Sequence, residues 1–148
     1  MASIKTVHIE DVEIGDTVTP QLRRITMGEV KAFWEVLNGP GSLERPSRFN
    51  SVEQAKKEGL PGPVIPGPMS VALISKTLTD WAPGVQLKLL DVILRQVVPQ
   101  GTEFKIYGIV TDKNEGEQQV EVDLYVEPLE GQPFIRGKAV LRVPSRRS

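Results

Sequence analysis

Cysteine is absent from these 148 residues, and histidine occurs once, at His8. Without thiols there is no disulfide framework, no thiolate metal site and no cysteine nucleophile, and one histidine cannot form a His cluster, so no metal site is expected. Charge of one sign is also missing. Lys and Arg total 18 against 19 for Asp and Glu, and no long basic stripe is present to hold a phosphate backbone, so nucleic acid is not an expected partner. No run approaches the ~20 apolar residues of a membrane span, and the first residues lack an apolar signal core, so no membrane is expected and the cytoplasm is the expected location. There is no internal repeat and no low-complexity segment. What remains, 39% hydrophobic and 25% charged residues, fits one globular domain over residues 1–148 that can bury a core without staples.

The chain is organised around residues 49–69. Ser51 and Gln54 have capping-box spacing, which predicts a short helix over 52–58 that stops at Gly59, a residue that takes positive φ cheaply. A stiff loop follows, because Pro61, Pro63, Pro66 and Pro68 fix φ and remove donors, and Gly67-Pro68 hands the chain to a second helix. In that helix Met69, Val71, Ala72, Leu73, Ile74, Leu78 and Trp81 cover more than one stripe. They predict a long helix over 69–81 buried on most of its circumference and ended by Pro83-Gly84.

Upstream, residues 8–15 read as an extended segment, and a strand follows over 17–24. Thr26 and Glu29 form a capping box ahead of Val30, Phe33, Trp34 and Leu37, the i, i+3, i+4, i+7 face of an amphipathic helix. A polar loop without periodicity runs from there to Phe49. Downstream, four strands are predicted over 87–97, 103–111, 118–127 and 134–143. Turns such as Pro99-Gln100-Gly101 separate them and are short enough to make successive strands antiparallel neighbours. Val120, Val122, Leu124 and Val126 alternate with Glu121, Asp123, Tyr125 and Glu127, and a similar alternation runs through Ile135, Ala139, Leu141 and Val143. One face is therefore buried, and the apolar helix is the object available to cover it. The expected class is α+β, a curved antiparallel sheet wrapped around one long helix. Residues 145–148 are expected to be a disordered tail.

Four fragments in this order, Glu-Asp-Val-Glu-Ile-Gly-Asp at 10–16, the 49–68 stretch, Leu-Arg-Gln-Val-Val-Pro-Gln-Gly-Thr at 94–102 and Gly-Lys-Ala-Val-Leu-Arg-Val-Pro at 137–144, resemble the MaoC-like branch of the hot-dog fold. That family includes R-specific enoyl-CoA hydratases and acyl-thioester dehydratases, lyases whose units pair so that an acyl-pantetheine channel forms at the interface. The resemblance implies an acyl-CoA or acyl-carrier-protein ligand, a homodimer or a heterodimer with another hot-dog subunit, and no cofactor.

It also implies where chemistry has been lost. The family's catalytic signature, Asp-x-Asn-Pro-x-His-x-Asp, leads through an Ala and a Gly to a His-Gly before the central helix. Matching the Ala and Gly to Ala55 and Gly59 puts Phe49 at the catalytic His, Ser51 at the Asp that follows it and Pro66 at the His of His-Gly, with Gly67 kept. The catalytic Asp falls on Glu44 if no gap intervenes, or near Asn38 if the loop to Arg48 is longer. Phe49 can move no proton, whereas the Gly67 N–H at a helix N-terminus could still polarise a thioester carbonyl. The expected ligand-binding set is Gly67, Phe49, Asn50, Ser51 and Pro66. The first expectation is a binding or dyad-less partner subunit without standard hydratase activity. The alternative is an enzyme of altered chemistry, a lyase, isomerase or thioesterase on a CoA- or polyketide-like substrate, using Glu44 or Asn38 with the Gly67 N–H. Each residue also has a plain role: Ser51 as a helix cap, Phe49 as packing, Gly67 as backbone geometry, and Arg45 and Arg48 as exposed charge rather than contacts to coenzyme A phosphates.

Overall fold

A computed structural model describes residues 6–147. Along the chain run a 3-10 turn, Ile9–Asp11, then β1 (Thr17–Arg23), α1 (Met27–Asn38), α2 (Val52–Lys57), α3 (Gly67–Trp81), β2 (Gln86–Leu94), β3 (Phe104–Asn114), β4 (Gln119–Pro128) and β5 (Ile135–Arg142). The helix starts follow the local chemistry. At α1, Thr26 Oγ1 accepts from the Glu29 N–H while Glu29 Oε1 accepts from the Thr26 N–H, both at 3.1 Å. At α2 the box is half made: Ser51 Oγ accepts from the Gln54 N–H, but the Gln54 side chain turns to Glu58. Past its end, Gly59 adopts φ +82°, as a helix stop by glycine requires.

All five strands form one antiparallel sheet in the order β1-β3-β4-β5-β2, the hot-dog arrangement in which the sheet packs on α3. Alternation holds: Val120, Val122, Leu124 and Val126 of β4 and Ile135, Ala139 and Leu141 of β5 are all buried, within one continuous core that also takes Ile74 and Leu78 of α3. Among the described residues no helix is long and apolar enough to cross a membrane.

Four features differ from the sequence expectation. Residues 9–11 form a 3-10 turn rather than extended chain, closed by the Asp11 N–H on the His8 carbonyl. Strand β2 stops at Leu94, because the Arg95 and Gln96 N–H groups both turn to the Phe134 carbonyl. The link from β2 to β3 is therefore not the three-residue turn that would make them neighbours. Residues 95–103 cross from one edge of the sheet to the other side, β2 pairs with β5, and β3 sits between β1 and β4. Finally, α3 begins at Gly67 and is buried along one stripe, Ser70, Ile74, Thr77 and Leu78, while Ala72 and Lys76 are exposed and Val71, Leu73 and Trp81 half-buried. A single sheet covers only one side of a helix. Of the tail expected to be disordered, Ser148 lies outside the described residues. Arg146 is held, its backbone N–H donating to Glu10 Oε1 and its guanidinium to Asp11 Oδ2, both at 2.6 Å, because two adjacent carboxylates on the 3-10 turn attract the basic end of the chain.

Candidate functional site

The proline-rich loop is clamped between two parts of the chain. The Val64 N–H donates to the Arg48 carbonyl at 3.0 Å and the Ile65 N–H to the Val98 carbonyl at 2.8 Å, while the Gln100 N–H donates to the Pro63 carbonyl at 3.0 Å. Gln100 does more with its side chain. Its Nε2 donates to the carbonyls of Phe49 and Val64, both at 2.8 Å, and so ties the start of the loop to its end. Four prolines leave the loop few donors of its own, so its carbonyls are satisfied from the 95–103 crossing.

Between this loop and that crossing lies a cavity of ≈ 280 Å³. Phe49, Val64, Ile65 and Gly67 line one side and Leu94 to Val98 the other, with Ser70 on the first turn of α3 and Arg48 also on the wall. Phe49 is half-buried and packs on Trp34 of α1, ring centroids 5.3 Å apart, so it forms a fixed apolar wall. Pro66 is buried and caps α3, its carbonyl accepting from the Met69 and Ser70 N–H groups at 3.1 and 3.2 Å. The Gly67 N–H has no partner among the described residues, as expected for the first N–H of a helix. A Cβ on Gly67 would stand 3.1 Å from Leu94 Cδ2, so glycine there lets β2 close on the helix start.

The other residues singled out from the sequence lie elsewhere. Asn50 and Ser51 follow Phe49 but do not line the cavity. Asn50 Oδ1 accepts from Ser47 N–H and Oγ, and its Nδ2 donates to the Leu43 and Arg45 carbonyls, which uses its bonding capacity inside the loop. Ser51 caps α2. Glu44 is exposed, with its carboxylate beside Gly41. Asn38 is exposed at the end of α1, donating to the Trp34 carbonyl at 3.2 Å. Arg45 is exposed, and the Arg48 guanidinium is paired with Glu58 Oε1 at 2.6 Å. The ionisable side chains lining the cavity are those of Arg48 and Arg95. Neither can serve as a general base, because guanidinium stays protonated. His8, whose Nδ1 is buried without a hydrogen-bond partner, belongs to the 3-10 turn and not to the cavity. Sequence reasoning missed Ser70, Leu94 to Val98 as a wall, and Gln100. The only available signal was that residues 94–102 formed one of the four quoted fragments.

No protein-family model and no curated protein matches the chain. Solved structures do. R-hydratase PhaJ1 from Pseudomonas aeruginosa superposes with a TM-score of 0.81 at 17% identity, over 95% of this chain and 88% of that one. A structure of the ChsH1–ChsH2 complex from Mycobacterium tuberculosis gives 0.75 at 13%, over 88% and 98%. A MaoC-like dehydratase from Rhodospirillum rubrum gives 0.73 at 16%, over 95% and 98%. The chain thus has the hot-dog fold of R-hydratases and MaoC-like dehydratases.

Proposed function

We propose that this is a MaoC-like hot-dog protein that binds an acyl thioester in the cavity between Phe49 and Gly67, does not by itself carry out standard enoyl-thioester hydration, and serves as an acyl-binding or partner subunit. The lining carries the proposal: the Gly67 N–H is free, and the groups beside it can neither accept nor release a proton near neutral pH. Hydration requires a base to activate water and an acid to protonate the α-carbon, in addition to a donor on the carbonyl. Only the last is on hand, from an unpaired N–H at the positive end of a helix dipole. The apolar walls, Phe49, Val64, Ile65, Leu94, Val97 and Val98, suit an acyl chain. Arg95 suits the anionic carrier, coenzyme A or the phosphopantetheine of a carrier protein, whereas Arg48 on the same wall is already paired with Glu58. A partner role draws support from the ChsH1–ChsH2 complex, a two-component assembly that shares the fold.

Purified protein mixed with an enoyl-CoA should leave the enoyl thioester absorbance unchanged while binding the ligand. Robust hydration by the protein alone overturns the proposal. Altered chemistry would engage Glu44 or Asn38, which are both exposed and outside the cavity lining. Glu44→Gln is therefore expected to leave acyl-CoA affinity within twofold of the parent by calorimetry, and a larger loss would bring Glu44 into the site.

A further inference from the structure

Helix α3 carries four hydroxyl side chains, at Ser70, Ser75, Thr77 and Thr79. Three are spent on the helix itself. Ser75 Oγ donates to the Val71 carbonyl at 3.0 Å, Thr77 Oγ1 to Leu73 at 2.8 Å and Thr79 Oγ1 to Ser75 at 3.2 Å, the usual bond back to the preceding turn. Ser70 is the exception. It is only 5% exposed, yet its Oγ makes no hydrogen bond among the described residues, not even to the Pro66 carbonyl four residues back. The oxygen is not sealed in the core, since the one fully buried side-chain polar atom without a partner among the described residues is His8 Nδ1, so Ser70 Oγ stays open to whatever enters beside it. Ser70 lines the same cavity as Gly67, one helical turn along, so the hydroxyl and the free Gly67 N–H stand on the same face of the first turn.

We propose that Ser70 Oγ is the second donor to the ligand's acyl carbonyl, sharing its oxygen with the Gly67 N–H; this rests on the acyl-thioester reading above. The hydroxyl is then idle in the empty protein and satisfied in the complex. Its part is to fix the carbonyl against the start of α3, and no proton transfer is asked of it. The two donors select ligands with a carbonyl at the head of the acyl chain over those with the same chain and no carbonyl.

The test compares two ligands of equal length, a butyryl thioester and its S-butyl thioether, each on coenzyme A and on an acyl carrier protein. They are titrated calorimetrically into the wild-type protein and its Ser70→Ala and Ser70→Thr variants. Ser70→Ala should weaken thioester binding about fivefold to tenfold, the loss of one hydrogen bond, and leave thioether binding unchanged. Ser70→Thr should restore thioester affinity. With a 13C-labelled carbonyl, the infrared band of bound thioester should return toward its free frequency in Ser70→Ala. Because the fold makes no use of this hydroxyl, Ser70→Ala should unfold no earlier than wild type. If wild type binds the thioester and Ser70→Ala binds it equally well with the same carbonyl band, the role of Ser70 falls and the acyl-binding reading stands. If Ser70→Ala instead melts early and weakens both ligands alike, the hydroxyl serves the fold and the proposal is overturned. If wild type binds neither thioester, both proposals fall together.

Discussion

At the scale of single residues, the site was half legible. Phe49, Pro66 and Gly67 could be picked out because each occupies a position in a recognisable spacing, and Phe49 and Gly67 do line one cavity. Gln100 could not. A lone glutamine in a turn has no periodicity, and its meaning comes from accepting carbonyls 51 and 36 residues away in sequence. Truncating it leaves the Phe49 and Val64 carbonyls without this donor, although Val64 keeps its backbone bridge to Pro99. Gln100→Ala should therefore lower stability by about 1–3 kcal/mol, read as a lower urea midpoint with unchanged slope. Acyl-ligand affinity should fall with it, because the loop start carrying Phe49 is released from its end. Proton transfer is the reverse case. Residue identity alone shows that Phe49 can move no proton, whereas only the structure shows Glu44 exposed and away from the cavity.

At the scale of elements, starts were easier to read than ends. Capping side chains act within three residues, so the beginnings of α1 and α2 are written locally at Thr26 and Ser51. The end of β2 at Leu94 is not local, since it depends on the Phe134 carbonyl arriving from across the sheet. The docked tail is similarly long-range. The Arg146 backbone N–H holds the Glu10 carboxyl below its usual range, and the Arg146 guanidinium does the same for Asp11. A carboxyl whose pKa is lowered by docking binds fewer protons when docked. Docking is thus favoured above the ordinary carboxylate range and lost as pH falls through and below it. Amide hydrogen exchange of residues 145–147, relative to unstructured peptide, should show protection at pH 6 that falls as the carboxylates are protonated, and Arg146→Ala should reduce it at pH 6 without abolishing it, because the backbone N–H to Glu10 remains.

At the scale of the whole molecule, the sheet ends in two edges, β1 and β2, and β2 presents a nine-residue edge with Leu89, Ile93 and Leu94 exposed. A long apolar edge invites another strand, and α3 keeps Val71, Leu73 and Trp81 only half-buried. We expect at least a dimer in solution, so light scattering at micromolar concentration should give twice the 16.4 kDa chain mass or more, and a monomeric mass counts against pairing. The sequence by itself determined what is periodic or compositional: an α+β chain, the inward faces of β4 and β5, and the existence of a central helix with a proline-rich approach. It also excluded a cysteine nucleophile and left no proton-transfer residue at Phe49. Only the tertiary structure decided which strands are neighbours, because β2 reaches β5 through contacts about fifty residues apart that no local pattern encodes. Only it could bring Gly67, Ser70 and the 94–98 crossing around one cavity, since a pocket is made by segments that meet and not by any one of them.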